Sequence, residues 1–366
     1  MRVALIHDWL NGMRGGEKVL EVLCELFPAA PIYTLLYEPR EIHPSISGGR
    51  IIHTSWLQRW AITRKNYRKL LPLLPSAVEK FPLDAYDVVI SSSHCVANGV
   101  RAASGACHIS YCHTPMRYLW DLQEEYFGRN SAKRMLLAPV LSSLRRWDVR
   151  AAGRVKHFIA NSRFVAERIQ RIYGRDSEVI HPPVDTSFFT PDSRDKAVGD
   201  YFLLVSALVP YKKVELVLET FRRIKDRLVI IGTGPGERAL RRKAPANAEF
   251  LGWADQETLR RYYRGCRALL FPQKEDFGIV PLEAQACGRP VIAFSQGGAL
   301  ETIVPSTGIF FAEQTPLGLQ DAIQEFKRVE HNFDPVAVRT HALAFDKKEF
   351  REKLRNFILS KVPAYA

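Results

Sequence analysis

Short apolar runs, many of them β-branched, alternate from end to end of the chain with stretches whose apolar positions recur every three or four residues. Short apolar runs bounded by turn residues indicate strands, and the 3.6-residue period indicates helices. On this reading residues 3–7, 32–36, 51–54, 88–92, 108–112 and 157–160 are strands. Helices fill 16–26, 131–152 and 163–173, the last capped by Asn161 or Ser162. The rhythm breaks at 181–191, where three prolines in eleven residues without periodicity read as a linker between domains. It then restarts. Strands at 201–208, 228–231, 250–253, 268–271 and 291–294 alternate with helices at 214–224, 236–243, 256–266 and 280–286, and helices near 335–344 and 347–359 close the chain. Such alternation predicts an α/β fold with parallel sheets. Residues 1–185 are expected to form one doubly wound domain and 186–344 a second, with a terminal helix at about 345–366 packing back on the first. Ligands of open parallel sheets bind beyond the carboxyl ends of the strands, so two facing sheets would share a crevice.

Length and composition agree with that organisation. The 366 residues suit about two domains, and 46% hydrophobic with 25% charged residues is ordinary for a globular chain. Six scattered cysteines lack zinc spacing and argue for a reducing compartment. Polarity interrupts the first apolar run at His7 and Asp8, too early for a signal peptide, and residues 135–144 are too short to span a bilayer. A soluble or peripheral protein is expected.

The net charge of +13 needs a partner or a solvated surface. Within 50–80, seven basic residues (Arg50, Arg59, Arg64, Lys65, Arg68, Lys69, Lys80) face only Glu79 and are interleaved with Trp56, Trp60 and Tyr67. Within 133–156, Lys133, Arg134, Arg145, Arg146, Arg150, Arg154 and Lys156 face only Asp148. Basic residues beside Trp and Leu suit an anionic membrane surface. Nucleic acid would accept the same charge, but no groove-reading element is present and that partner is not expected.

The most informative stretch runs Phe271-Pro-Gln-Lys-Glu275-Asp-Phe277-Gly278-Ile279-Val-Pro-Leu-Glu283-Ala-Gln-Ala-Cys-Gly288-Arg-Pro290. A strand, a loop holding Glu275 and a helix start follow one another, with Glu283 one to two turns inside the helix. Two carboxylates so placed can grip a polyhydroxylated ligand, while N–H groups near Phe277, Gly278 and Ile279 hold oxygens or phosphate.

These residues resemble the E-x7-E signature of the retaining GT-B glycosyltransferases of family four. The opening 2–10 with Gly12 to Glu17, and the stretch from Tyr111 to Trp120, resemble the branch of O-antigen mannosyltransferases that use GDP-mannose. The resemblance implies a GT-B fold of two facing Rossmann-like domains with an interdomain donor cleft, and transfer of a hexose to a saccharide acceptor. It assigns Glu275 to the donor sugar and Glu283 to the nucleotide ribose. Lys212 meets the diphosphate, with Lys213 or Arg14 beside it, because Ala207 stands where many members carry Arg. Gly15 and Gly16 correspond to the glycine loop facing the diphosphate, and Gly232 and Gly234 line the nucleotide site. Trp253 contacts the base or else lies in the core. His113 touches the donor sugar, and Asp8, Trp9 and Arg117 are assigned to the acceptor.

The acceptor so implied is a polyprenyl-diphosphate-linked saccharide at the cytoplasmic membrane face, in O-antigen or other surface polysaccharide assembly. A UDP-sugar donor, a nucleotide-sugar epimerase and a phosphorylase are the alternatives on this fold. The pairs Glu275/Asp276 and Asp84/Asp87 lack the Asp-x-Asp arrangement that holds a divalent cation, so no metal and no cofactor beyond the nucleotide sugar are expected.

Overall fold

The computed structural model describes residues 1–59, 67–121, 131–191 and 199–362, with side chains except at 67–69 and 131–136. The chain divides into two units, 1–183 with 350–366 and 184–349.

In the first unit, seven strands lie parallel: β1 (Val3–His7), β2 (Ile32–Thr34), β3 (Ile52–Thr54), β4 (Val88–Ser93), β5 (Cys107–Cys112), β6 (His157–Ala160) and β7 (Ser177–Val179). Their order is β3-β2-β1-β4-β5-β6-β7. Helices α1 (Gly15–Leu26), α2 (Ser131–Ala152) and α3 (Arg163–Tyr173) cross between them. Alternation along the strands feeds two cores. Leu5, Ile90, Ile109 and Ile159 pack with Leu20 and Leu23 of α1 and with Phe350, Leu354 and Ile358 of the C-terminal helix (Lys347–Lys361). Ala4, Ile6 and Val89 point the other way, into a core containing Trp9, Leu144 and Trp147.

The second unit holds β8 (Tyr201–Val205), β9 (Arg227–Ile231), β10 (Ala248–Gly252), β11 (Leu269–Phe271), β12 (Val291–Phe294) and β13 (Gly308–Phe311), again parallel, in the order β10-β9-β8-β11-β12-β13. Its longer helices are α4 (Val214–Phe221), α5 (Glu237–Lys243), α6 (Gln256–Gly265), α7 (Ile279–Ala286), α8 (Pro316–Val329) and α9 (Pro335–Leu343). In each sheet the strand order reverses once, between β1 and β4 and between β8 and β11. Ligands of such sheets bind at the carboxyl ends beside that reversal.

Residues 184–191 do not form a free linker. Val184, Thr186 and Phe189 are buried, and Val184 exchanges backbone hydrogen bonds with Phe345 and Lys347 at 3.0 and 3.1 Å, so the aperiodic segment is packed through irregular backbone.

The two basic clusters are less available than composition suggests. Arg50 donates to the carbonyls of Cys24, Phe27 and Ala30 at the end of α1. Arg145 donates to Leu119 O and lies over the Trp120 ring, and Arg154 bonds Glu79 and Gly99 O. Arg59, Lys80, Arg146, Arg150 and Lys156 are exposed. Trp60, Arg64 and Lys65 lie outside the described residues, as do the side chains of Tyr67, Arg68, Lys69, Lys133 and Arg134. Among the described residues no helix is long and apolar enough to cross a membrane.

Candidate active site

At the sheet reversal of the first unit the chain leaves β1 through Asp8, which is wholly buried. One carboxylate oxygen accepts the N–H groups of His94 and Cys95 at 2.7 and 2.9 Å, and the other those of Val96 and Ala97 at 2.6 and 2.8 Å. The His94 ring adds a contact at 3.2 Å. Four donors occupy the acceptor capacity of a carboxylate. Asp8 therefore anchors the loop after β4, and its assignment to the acceptor is corrected. Trp9, expected beside the acceptor, packs in the core with its ring edge-on to His94, centroids 4.5 Å apart.

Gly15 and Gly16 open α1, where Glu17 takes the Arg14 N–H at 2.9 Å. A Cβ on Gly16 would stand 3.4 Å from His7 and 3.6 Å from Nε2 of His113, ordinary contact distances that place the start of α1 against both rings. His113 follows β5, and its Nε2 lies 2.8 Å from Ser92 Oγ at the end of β4. Burial, then the charges of His94, His7 and Arg117, hold its pKa well below the ordinary value. The ring is thus neutral at neutral pH and acts as a hydrogen-bonding group. Arg117 opens the short helix Arg117–Trp120 four residues on and is half-buried.

His7, His94, Glu17 and Ser92 escaped the sequence reading. Burial alone would raise the Glu17 carboxyl, but neighbouring His7 and His94 outweigh it and the net shift is downward. His7 Nε2 is 3.6 Å from Glu17, beyond hydrogen-bond reach, and neither nitrogen of His7 finds a hydrogen-bond partner among the described residues. The available signal was the polar run Ser91-Ser92-Ser93-His94, which closes an apolar strand where a core strand would stay apolar.

Arg168 on α3 holds the segment after His113: it bonds Thr114 Oγ1, reaches Pro115 O at 3.4 Å and pairs with Asp121. Nearby, buried Asp148 accepts from Trp120 Nε1 at 2.8 Å and Tyr173 OH at 2.9 Å. Burial pushes the Asp148 carboxyl up to about 7, against the downward pull of those two donors. Between 3.8, the value of an ordinary aspartate, and about 7, the folded protein keeps a proton that the unfolded chain has released. Stability from this group is therefore full below that window and falls as pH rises through it. Asp148→Asn, which keeps both donors served, is expected to flatten the fall in melting temperature between pH 5 and 7.5; equal slopes in both proteins would refute the assignment.

At the sheet reversal of the second unit, Lys212 ends the 3-10 turn Pro210–Lys212 after β8 and ion-pairs with Glu275 in the loop after β11. Lys213 next to it is left-handed, φ 56°, the only non-glycine residue with positive φ among the described residues. That backbone costs about 1 kcal/mol or more and is typical of functional turns. Gly232 and Gly234 have a nearer reason to be glycine than a ligand. A Cβ on Gly232 would strike the Ser206 carbonyl, and one on Gly234 would stand 2.6 Å from Leu208 O. The loops after β8 and β9 are zipped together by Leu208 N–H to Thr233 O and Gly236 N–H to Leu208 O, both 3.0 Å. Trp253, just past β10, is 77% exposed and so is not a core residue.

Gly278, φ 101°, is the N-cap of α7, and no side chain caps that helix start, which leads with Ile279. The side chain of Phe277 is buried with Val184, Leu282 and Phe345, so only its backbone can face a ligand. Glu283, half-buried in α7, accepts from Tyr263 OH at 2.8 Å. The structure thus brings Lys212 and Glu275 together in one unit and Gly16 and His113 together in the other. Among the described residues no group of three or more His, Cys, Asp or Glu side chains is arranged to hold a metal ion.

Residues 13–188 match the Glycosyltransferase Family 4 model and residues 190–333 the model of Glycosyl transferases group 1. The chain is 27% identical over 322 residues to the alpha-1,3/1,6-mannosyltransferase ALG2 of Homo sapiens, covering 75% of this chain and 73% of that protein. It is 32% identical over 165 residues to a D-inositol 3-phosphate glycosyltransferase of Mycobacterium sp. (strain KMS), covering 38% of this chain and only 37% of that protein. A GDP-mannose-dependent monoacylated alpha-(1-6)-phosphatidylinositol monomannoside mannosyltransferase of Corynebacterium glutamicum is 30% identical over 177 residues, 40% of this chain and 46% of that protein. Among solved structures, sucrose-phosphate synthase from Thermosynechococcus elongatus superposes with a TM-score of 0.77 over 100% of both chains at 16% identity, a likeness of fold.

Proposed function

With the chain belonging to the GT-B glycosyltransferases of the family-four type, we propose that it is a retaining hexosyltransferase, moving mannose from GDP-mannose to a polyprenyl-diphosphate-linked saccharide in surface polysaccharide assembly. The observation that carries this reading is the Lys212–Glu275 ion pair at the sheet reversal of the second unit. It sets a cation and a carboxylate where a ligand of such a sheet binds. Mannose is favoured by the names of the human and Corynebacterium relatives.

In this reading Lys212, Lys213 and the uncapped start of α7 meet the leaving diphosphate. Glu275 contacts the donor sugar, where its charge favours positive charge developing at the anomeric carbon. Glu283 receives the ribose diol and exposed Trp253 stacks on the base. The acceptor hydroxyl attacks the anomeric carbon on the face from which the nucleoside diphosphate departs. Its proton passes to the leaving phosphate oxygen as the carbon–phosphate-oxygen bond breaks and the new glycosidic bond forms. For the anionic membrane surface, the exposed face of α2 with Arg146, Val149 and Arg150 remains as the described candidate.

A panel of GDP- and UDP-linked hexoses, followed by nucleotide release with and without a lipid-linked acceptor, tests the reading. Release from GDP-mannose is expected, dependent on acceptor and undiminished by EDTA, because protein cations serve the diphosphate. Donor conversion without acceptor would instead indicate an epimerase. Loss on chelation with rescue by Mg²⁺ would overturn the metal-free mechanism.

A further inference from the structure

We infer that Tyr263 is a positioning residue for Glu283, fixing its carboxylate for a ribose diol and thereby setting a preference for ribo- over 2′-deoxynucleotides. This rests on the proposed role of Glu283 and adds a residue that the donor-site assignment does not contain.

Helix α6 is largely exposed or half-buried, and Tyr263 is its one buried residue. The ring stands edge-on to Phe189, centroids 5.7 Å apart, in the same core as Ala284, Ala286 and Cys287 of the α7 segment. A tyrosine in such a place needs a partner for its hydroxyl. Phenylalanine would fill the core equally well, so the hydroxyl needs its own explanation. That group reaches from α6 to α7 and donates to Glu283 Oε2 at 2.8 Å. Burial first, then the Glu283 charge, push the Tyr263 hydroxyl well above its ordinary pKa. It therefore remains a donor throughout the working pH range.

Each hydrogen bond a half-buried glutamate accepts within the protein narrows its rotamers and lowers the freedom it gives up when a ligand arrives. The Tyr263 hydroxyl, carried on a rigid ring with two torsions, fixes Oε2 in direction before the nucleotide binds. Preorganisation of this kind raises affinity without a new contact to ligand. Its benefit is specific to a ligand bearing hydroxyls at both ribose positions. A 2′-deoxynucleotide gains less from a carboxylate held in place, because half of the diol is missing.

The test uses the full chain and measures binding calorimetrically for GDP against 2′-deoxy-GDP, and UDP against 2′-deoxy-UDP, in wild type, Tyr263→Phe and Glu283→Ala. Tyr263→Phe keeps the ring in the core, and an unchanged melting temperature verifies that. The expected result is a loss of about tenfold in affinity for the ribonucleotide and much less for the deoxy form, so that the ratio falls toward one. If both nucleotides weaken equally, or the ratio is kept in Tyr263→Phe but lost in Glu283→Ala, Tyr263 does not position the carboxylate. If the ratio survives Glu283→Ala, the ribose assignment of Glu283 itself is wrong and the inference falls with it.

Discussion

Glu275→Gln is expected to slow acceptor-dependent nucleotide release by roughly 100- to 1000-fold, the range seen when one preorganised electrostatic contact to a transition state is removed. The amide keeps the volume and the loop. On the proposed role of Glu275, what it removes is the negative charge beside the carbon at which positive charge develops. The resting ion pair sharpens the expectation, because the ammonium of Lys212 now neutralises that carboxylate. In the variant Lys212 has no anion to share, so binding of GDP is expected to stay within tenfold of wild type or to tighten. The effect should fall on kcat, and single-turnover measurement with saturating donor separates it from binding. A variant that transfers within threefold of wild type, or one whose whole defect is in nucleotide affinity, would remove Glu275 from the chemistry.

Much of this fold was legible because its strands are short apolar runs between helices of clear period. Strand 157–160 and helices 131–152 and 163–173 fall within the observed bounds, and Ser162 caps the last by accepting from Val165 N–H at 3.0 Å. The 14-residue helix α8 (Pro316–Val329) was missed although its buried Leu319, Ala322, Ile323 and Phe326 recur with helical period, and two strands escaped where that contrast fails. β7 is three residues long and reads Ser-Glu-Val, while β13 starts at a glycine and follows Ser306-Thr307. The segment 181–191 looked like a linker because a chain packed by irregular backbone has no period to detect.

The site was legible to a different degree in its two halves. Glu275, Gly278 and Glu283 sit on one strand–loop–helix unit, so their spacing in sequence carries their placement in space. Lys212 could be guessed from its position after a strand, but its pairing with Glu275 joins residues 63 apart and has no local signature. Tyr263 and Ser92 were invisible for the same reason: each serves a residue on another element, 20 and 21 positions away. Asp8 was misread because an acid at the end of a first strand looks the same in sequence whether it faces a ligand or a loop. The deciding fact is the four N–H groups around it, which belong to residues 94–97.

That cage makes Asp8→Ala the substitution with the largest expected effect on stability. Cys95, Val96 and Ala97 are buried, so removing the carboxylate leaves their N–H groups facing one another without an acceptor and out of reach of bulk water. Each orphaned donor costs about 1–3 kcal/mol, and the losses overlap because they share one loop. A total of about 4 kcal/mol is a reasonable expectation, in line with the cost of breaking a buried ionic contact. For a unit of this size that corresponds to a melting temperature lower by roughly 8–16 °C. Asp8→Asn should recover little of it. The amide offers one acceptor oxygen and turns an NH₂ group toward two of the four donors, replacing attraction by repulsion. Thermal and urea unfolding of both variants decide the matter: a loss under about 1 kcal/mol for Asp8→Ala would mean that the loop relaxes or admits water. Asp8 would then be free for another role. A large loss in Asp8→Ala, only slightly relieved in Asp8→Asn, identifies the carboxylate as the fixed charge on which the loop carrying His94 is built.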